Sequence, residues 1–179
     1  MNGRILITGG AGFIGSHLTR RYLSEGFQVM IYDNFLAGKP EFLPDDPSLN
    51  CEKGDILDNG SLSDTVKKWR PDVVYHLAAI HDHESFTATP ERTLKVNIEG
   101  TRSLLEACEN NSIKKVVFAS TGGVYEITDG PIAETWRRKP YDVYCRSKIE
   151  GEDLVERYSS IPGTSAVTVR LFNIVGPNE

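Results

Sequence analysis

This 179-residue sequence predicts an α/β fold, a doubly wound parallel sheet with helices on both faces. Three observations lead there. Short aliphatic runs alternate strictly with amphipathic stretches, the pattern of successive β-α-β units. The runs are continuously apolar, as expected of strands covered on both faces. A glycine-rich turn also joins the first run to the first amphipathic stretch. Right-handed crossovers then favour winding in both directions from the first strand.

The elements follow in order. "RILITG" (4–9) is the first strand, and a helix runs from Phe13 to about Glu25, closed by Gly26. "FQVMIYD" (27–33) is the second strand, followed by a Pro- and acid-containing loop over 34–47. "NCEKGD" (50–55) is a short third strand, and "NGSLSDTVKKW" (59–69) a helix opened by an Asn or Ser cap. "PDVVYHLAA" (71–79) is the fourth strand. Pro90 opens a long helix to about Asn110, and "KKVVFAS" (114–120) is the fifth strand. After a loop over 121–140, a helix spans about 143–158 and "AVTVRLF" (166–172) forms the sixth strand.

Composition excludes several classes of function. Acidic residues outnumber basic ones, 25 to 20, with no Lys/Arg run, so no nucleic-acid footprint is present. No apolar stretch reaches the roughly 20 residues of a membrane span, and the N-terminus lacks a signal-peptide apolar region. Cys51, Cys108 and Cys145 are widely spaced with no CxxC pair, which argues against disulfides and structural zinc and for a reducing, cytoplasmic setting.

"TGGAGFIG" (8–15) contains Gly10-x-Gly12-x-x-Gly15, with Gly9, Gly12 and Gly15 also at three-residue spacing. Glycines serve three purposes in such a turn: positive φ, close approach of backbone amides to a pyrophosphate, and close packing of helix on strand. The helix start at Phe13, Ile14 and Gly15 adds amides and a favourable dipole for phosphate. Asp33 ends the second strand 18 positions beyond Gly15, with Asn34 beside it. A carboxylate there accepts from both ribose hydroxyls and repels a 2′-phosphate, so the expected cofactor is NAD rather than NADP.

"YDVYCRSK" (141–148) puts Tyr144 and Lys148 at i and i+4 on one helical face. A phenol titrates near 10, and a neighbouring ammonium is expected to bring it towards the working range of a general base. His76 is read as orienting backbone at a strand end. His81, Asp82 and His83 are read as loop residues able to meet substrate at the pocket mouth, not as a metal cluster. No metal site is expected.

The motifs "TGGAGFIGSHL", "YDN", "GDILD", "PDVVYHLAA", "VNIEGT", "FASTGGVY", "YCRSK" and "RLFNIVGP" together resemble an extended short-chain dehydrogenase/reductase. The resemblance is to the NAD-dependent nucleotide-sugar epimerase and dehydratase branch, and covers the chain end to end. It implies a Rossmann-like NAD-binding domain over 1–179. Asp55 and Ile56 would contact adenine, Ala78 and Ala79 would line the cofactor channel, and Asn97 would support the active site. Thr121 would bond the substrate oxygen, Tyr144 would be the acid/base, Lys148 would bind the nicotinamide ribose, and Asn173 would meet the sugar nucleotide. The substrate would be a UDP- or dTDP-linked sugar, and a homodimer would form through helices 90–110 and 143–158.

Dehydratases of this branch carry an Asp-Glu pair after the active-site threonine, whereas this sequence has Gly122 and Gly123. That favours a 4-epimerase, which oxidises the sugar transiently to a keto form; a dehydratase, a reductase or a non-catalytic NAD(H)-binding module are the alternatives. Glu126 is the nearest acid but does not match the expected position. Because such enzymes usually extend well beyond "FNxxGP", the expectation is the cofactor half of an enzyme, with most of the C-terminal substrate domain lacking, reduced or no turnover alone, and an open edge at the sixth strand.

Overall fold

The computed structural model describes residues 2–81 and 89–178. Six strands form one parallel sheet: β1 (Arg4–Thr8), β2 (Gln28–Asp33), β3 (Leu49–Lys53), β4 (Val73–His76), β5 (Lys115–Thr121) and β6 (Ser165–Leu171). Their spatial order is β3-β2-β1-β4-β5-β6, so the chain winds outward one way from β1, returns, and winds out the other way. The reversal leaves a crevice at the strand C-termini between β1 and β4, where doubly wound sheets place their ligands. In register, Thr8 is level with both Tyr32 and His76. Gly9, Asp33 and Leu77 therefore emerge side by side at one edge.

The helices are α1 (Phe13–Ser24), α2 (Asn59–Trp69), α3 (Pro90–Leu94), α4 (Gly100–Asn110) and α5 (Val143–Ser159). Alternation along β1 divides the core in two. Leu6 faces Leu62, Val66, Leu104 and Val155 beneath α2, α4 and α5, while Ile5 and Ile7 face Leu23 of α1. Gly26, at φ +81°, closes α1 as the sequence predicts. The cap of α2 is Asp58, whose carboxylate accepts from Ser61 N at 3.0 Å, rather than the expected Asn or Ser. β4 ends at His76, earlier than the apolar run suggests, because the backbone of Leu77–Ala79 turns aside over Gly9.

The long helix expected over 90–110 is broken by a π-helical turn at Lys95–Glu99 that joins α3 to α4. Among the described residues β6 bonds only to β5, and Val167 and Val169 on its α1 side are 53% and 39% exposed. The open edge expected at the sixth strand is present.

Candidate cofactor cleft and acid–base cluster

A cleft of about 540 Å³ lies over the C-terminal ends of β1, β4 and β5. One wall is the glycine turn and the start of α1: Gly9, Gly12, Phe13, Ile14 and Gly15. Gly9 has φ +72°, and a Cβ there would stand 2.7 Å from Ala78 N. A Cβ on Gly15 would strike the Gly9 carbonyl and come within 2.6 Å of Gly10 Cα, so helix and turn pack backbone to backbone. Gly12 differs, since the nearest atom to its Cβ position is Gly9 O at 3.4 Å and no side chain caps the helix there. The protein itself does not require a bare Gly12. A bare position and an uncapped helix N-terminus facing a cleft suit an anionic group. Gly10, part of the literal motif, instead makes room for Ile31.

Asp33 is buried, and its Oδ2 accepts from Ala11 N at 2.9 Å while its Oδ1 accepts from Phe35 N at 2.8 Å. The carboxylate thus braces the glycine turn with acceptor capacity to spare on both oxygens. Asn34 donates to Asp55 Oδ2 at 3.2 Å, and Asp55 Oδ1 accepts from Leu57 N at 2.9 Å. Ile56 is only 5% exposed, with its side chain turned into the core against Gly100. Any adenine contact by Ile56 would therefore be through its backbone, not the side chain.

The opposite wall carries Ala79, His81, Thr121, Tyr144, Lys148 and Asn173, so the structure gathers these sequence-predicted residues in one cleft with the glycine turn. Asp142 caps α5 by accepting from Cys145 N at 2.6 Å, which sets the helical phase of Tyr144 and Lys148. Lys148 Nζ donates to Ala119 O at 2.8 Å and lies 5.6 Å from the Tyr144 ring centroid. Burial pulls Lys148 down to about 8, partly offset by the charge of Glu152. Burial, with smaller effects of Cys145, Asp142 and Tyr141, pushes Tyr144 up to about 12. Desolvation thus dominates over any lowering of the phenol by Lys148, whose ammonium is turned to the Ala119 carbonyl.

Asn97 and His76 stand behind the cleft and build its frame. Asn97, in the π-turn, accepts from Ile80 N at 2.8 Å and donates to Ile80 O at 3.0 Å and to Ser147 Oγ at 2.9 Å. It ties the loop after β4 to α5. Thr101 Oγ1 donates to Asn97 O at 2.6 Å, so towards His76 Nε2 at 2.9 Å it acts as acceptor. His76 Nδ1 is then bare and accepts from Thr8 Oγ1 at 2.7 Å. Burial, and secondarily Lys148, takes His76 down to about 3. A neutral, enclosed imidazole bonded at both nitrogens is a fixed brace, in line with the orienting role read from sequence.

Gly122 and Gly123 have neighbours that explain them. A Cβ at Gly122 would meet the Phe172 ring at 2.6 Å, and one at Gly123 would meet Cys145 Sγ at 2.6 Å. An Asp-Glu pair has no room here unless Phe172 and Cys145 move. Glu126 points elsewhere, paired with Lys139 at 3.0 Å. His81 stands edge-on to Tyr144 with centroids 4.6 Å apart, while Asp82 and His83 lie outside the described residues. Among the described residues no group of His, Cys, Asp and Glu could hold a metal, and no helix is long and apolar enough to cross a membrane.

Sequence reasoning passed over Tyr141, Phe172 and Ser120, which also line the cleft, Ser147, which accepts from Asn97, and Glu152, which holds Ser120. Glu152 alone left a signal, because it continues the Tyr144–Lys148 face by one further turn.

This architecture is that of a Rossmann-like doubly wound domain with Tyr144 and Lys148 facing the glycine turn across one cleft. The profile of the NAD dependent epimerase/dehydratase family matches residues 5–179, and the chain belongs to that family. It is 32% identical over 173 residues to a UDP-glucose 4-epimerase of Rhizobium leguminosarum bv. trifolii, matching 96% of this chain and 52% of that protein. It is 37% identical over 184 residues to a UDP-N-acetyl-alpha-D-glucosaminuronate decarboxylase of Bacillus cytotoxicus, covering 99% of this chain and 56% of that one. Its structure is similar to that of a Brucella ovis UDP-glucose 4-epimerase in complex with NAD, at TM-score 0.87 and 32% identity over 96% of this chain and 52% of that chain. The chain spans about half the length of the curated relatives it matches.

Proposed function

We propose that this chain binds NAD and supplies the cofactor half and the acid–base cluster of a nucleotide-sugar 4-epimerase. The observation that carries the reading is the meeting, in one cleft, of an uncapped glycine turn with Thr121, Tyr144 and Lys148. Gly9, Gly12 and the amides of Phe13, Ile14 and Gly15 would hold the pyrophosphate. Asp33, beside Asn34 and Asp55, would take the ribose hydroxyls at the adenosine end. Lys148 would leave Ala119 O for the nicotinamide ribose, near Ala79, with Asn97 fixing the loop between them. When bound, NAD supplies the hydride acceptor.

The residues of the chain then manage a proton and an orientation. Thr121 would hold the sugar oxygen, and Tyr144 would take its proton as the carbon–hydrogen bond is oxidised. The same proton is returned when the keto group is reduced on the opposite face, so no net redox change remains. Tyr144 is a phenol at neutral pH in the free protein, so it becomes a base only when positive charge is brought close to it. A bound nicotinamide and a released Lys148 both meet that need. The lack of room for carboxylates at Gly122 and Gly123 supports epimerisation over dehydration. The UDP-sugar relatives support a UDP-linked substrate. The sugar-gripping part of such an enzyme would lie outside this chain, and a homodimer would form through α3–α4 and α5. Free cysteines are consistent with the cytoplasm.

Calorimetric titration with NAD and with NADP tests the cofactor reading. NAD is expected to bind preferentially, and Asp33→Asn to erase most of that preference. Absence of binding by either nucleotide would overturn it. With the complete two-part enzyme, Tyr144→Phe is expected to lower turnover by roughly 10²–10⁴-fold with NAD affinity nearly unchanged. Undiminished turnover would mean that Tyr144 is not the base, and absence of turnover in the unaltered enzyme would leave only a non-catalytic NAD-binding module.

A further inference from the structure

Behind the cleft lies a charge cluster that the proposed chemistry does not use. Glu152 is 4% exposed, yet its carboxylate accepts four hydrogen bonds. Ser120 Oγ donates to Oε1 at 2.5 Å and Arg170 Nε to the same oxygen at 2.9 Å. Arg170 Nη2 donates to Oε2 at 2.7 Å, and Arg138 Nη1 reaches Oε2 at 3.1 Å. Both oxygens are saturated, so Glu152 has no capacity left for a ligand. Arg170 also donates to Tyr125 Oη and to Glu134 O, each at 2.8 Å, and Arg138 pairs with Asp153 at 3.0 Å.

The placement of this carboxylate is informative. Tyr144, Lys148 and Glu152 follow at i, i+4 and i+8 along one face of α5. Opposite them, three consecutive residues of β5 are engaged in turn. Ala119 O holds Lys148 Nζ, Ser120 Oγ holds Glu152, and Thr121 opens onto the cleft. Arg170 sits level with Ser120 in the register of β5 and β6.

We propose that Glu152 is a positioning residue for the reacting cluster: by clamping Ser120 and Arg170 it sets the end of β5 against α5, and it places an anion one helical turn from the enclosed Lys148. The proposal rests on the reading of Tyr144 and Lys148 given above. The charged or titratable groups around Lys148 are Tyr144 and Glu152 on its own helix and His76 on β4, with Arg138 and Arg170 beyond Glu152 and His81 across the cleft. Of these Glu152 is the anion, and its charge raises the Lys148 value against the effect of burial. A carboxylate removed from this position would leave the guanidinium groups of Arg138 and Arg170 without their shared anion.

The test titrates the Lys148 side chain by carbon NMR of labelled lysine in the cofactor-free chain, with Lys148→Met to assign the signal. Glu152→Gln is expected to lower the Lys148 midpoint by about half a pH unit or more, roughly a threefold loss of proton affinity, and to weaken NAD binding several-fold in calorimetry. Ser120→Ala keeps the charge, so it should leave the midpoint in place and weaken NAD binding alone. Glu152→Asp should restore most of the midpoint. Should Glu152→Gln not fold, the double variant Glu152→Gln/Arg170→Met removes the pair together, and its Lys148 midpoint is compared with that of Arg170→Met alone so that only the lost anion is read. A folded variant with lower thermal stability but an unchanged Lys148 midpoint would make Glu152 merely structural and overturn the proposal. Failure of the wild-type chain to bind NAD would count against the cofactor reading instead, while the Lys148 titration would still decide this one.

Discussion

His76 illustrates how a single residue can be misread for chemistry when its work is mechanical. It is 2% exposed, bonded at both nitrogens, and neutral down to about pH 3. Its value in the unfolded chain is near 6.5, so between these limits the unfolded state binds more protons. Stability is therefore full above about pH 6.5 and falls as pH drops towards 3, with this group contributing up to about 1.4 kcal/mol per pH unit. Urea midpoints measured from pH 7.5 to 4.5 should show that slope, and His76→Gln should flatten it. Parallel slopes for the two proteins would mean that the imidazole protonates freely and is not the brace described. Lys148 follows the same logic, a base lowered by burial. Its value of about 8 lies below that of free lysine, so the folded state is penalised at neutral pH and relieved as pH rises between about 8 and 10.5.

At the scale of elements, the glycine turn combines two requirements that point mutations should separate. Gly15 is bare because the turn backbone presses on it, whereas Gly12 is bare with ordinary van der Waals distance around it. Gly15→Ala is expected to lower stability by about 1–3 kcal/mol, the usual cost of overpacking. Gly12→Ala should leave the thermal midpoint within a degree or two and weaken NAD binding by an order of magnitude or more, since its methyl would project where phosphate is expected. Equal loss of stability in both variants would contradict the division. A second element carries the acid–base pair. Gly151 lets α5 approach the Phe118 ring, where an added Cβ would stand only 2.6 Å away, and this closeness brings Lys148 to Ala119.

For the whole molecule, among the described residues the sheet ends in two edge strands, β3 and β6, and apolar side chains stand exposed along β6. α2, α4 and α5 pack on one face, while α1 covers the other over β1, β2 and β4 and leaves β6 bare. Val167 and Val169 remain outward on β6, with Phe172, Ile174 and Val175 exposed just beyond. An apolar strip beside an unpaired edge promotes association. The double change Val167→Lys/Val169→Lys should raise the concentration at which the chain stays monodisperse by several-fold, with little change in thermal midpoint. If sedimentation behaviour were the same with and without the lysines, association would run through another surface, the α3–α4 and α5 face being the alternative.

Much of the fold and part of the site were legible in the sequence because they depend on local signals. Continuous aliphatic runs, a glycine turn, Asp33 at a strand end and Tyr144 one helical turn from Lys148 are patterns of neighbours, and the structure places all of them as read. Other features depend on residues far apart in the chain, and only tertiary packing decided them. The protonation of Tyr144 and Lys148 was read from their adjacency, but burial by distant elements outweighs that adjacency. The side chain of Ile56 is claimed by Gly100 of another helix, and the turn at Asn97 is joined to Ile80 and Ser147 across the fold. Glu152 is held by Ser120, Arg138 and Arg170 from separate segments. The sequence by itself determined the winding of the sheet and marked some of the residues that meet in the cleft, since backbone propensity and side-chain chemistry act over a few positions, while Tyr141 and Phe172 joined them only in the fold. Desolvation and hydrogen-bond partnership are properties of the assembled interior, so the charge states within that cleft were decided only by the tertiary structure.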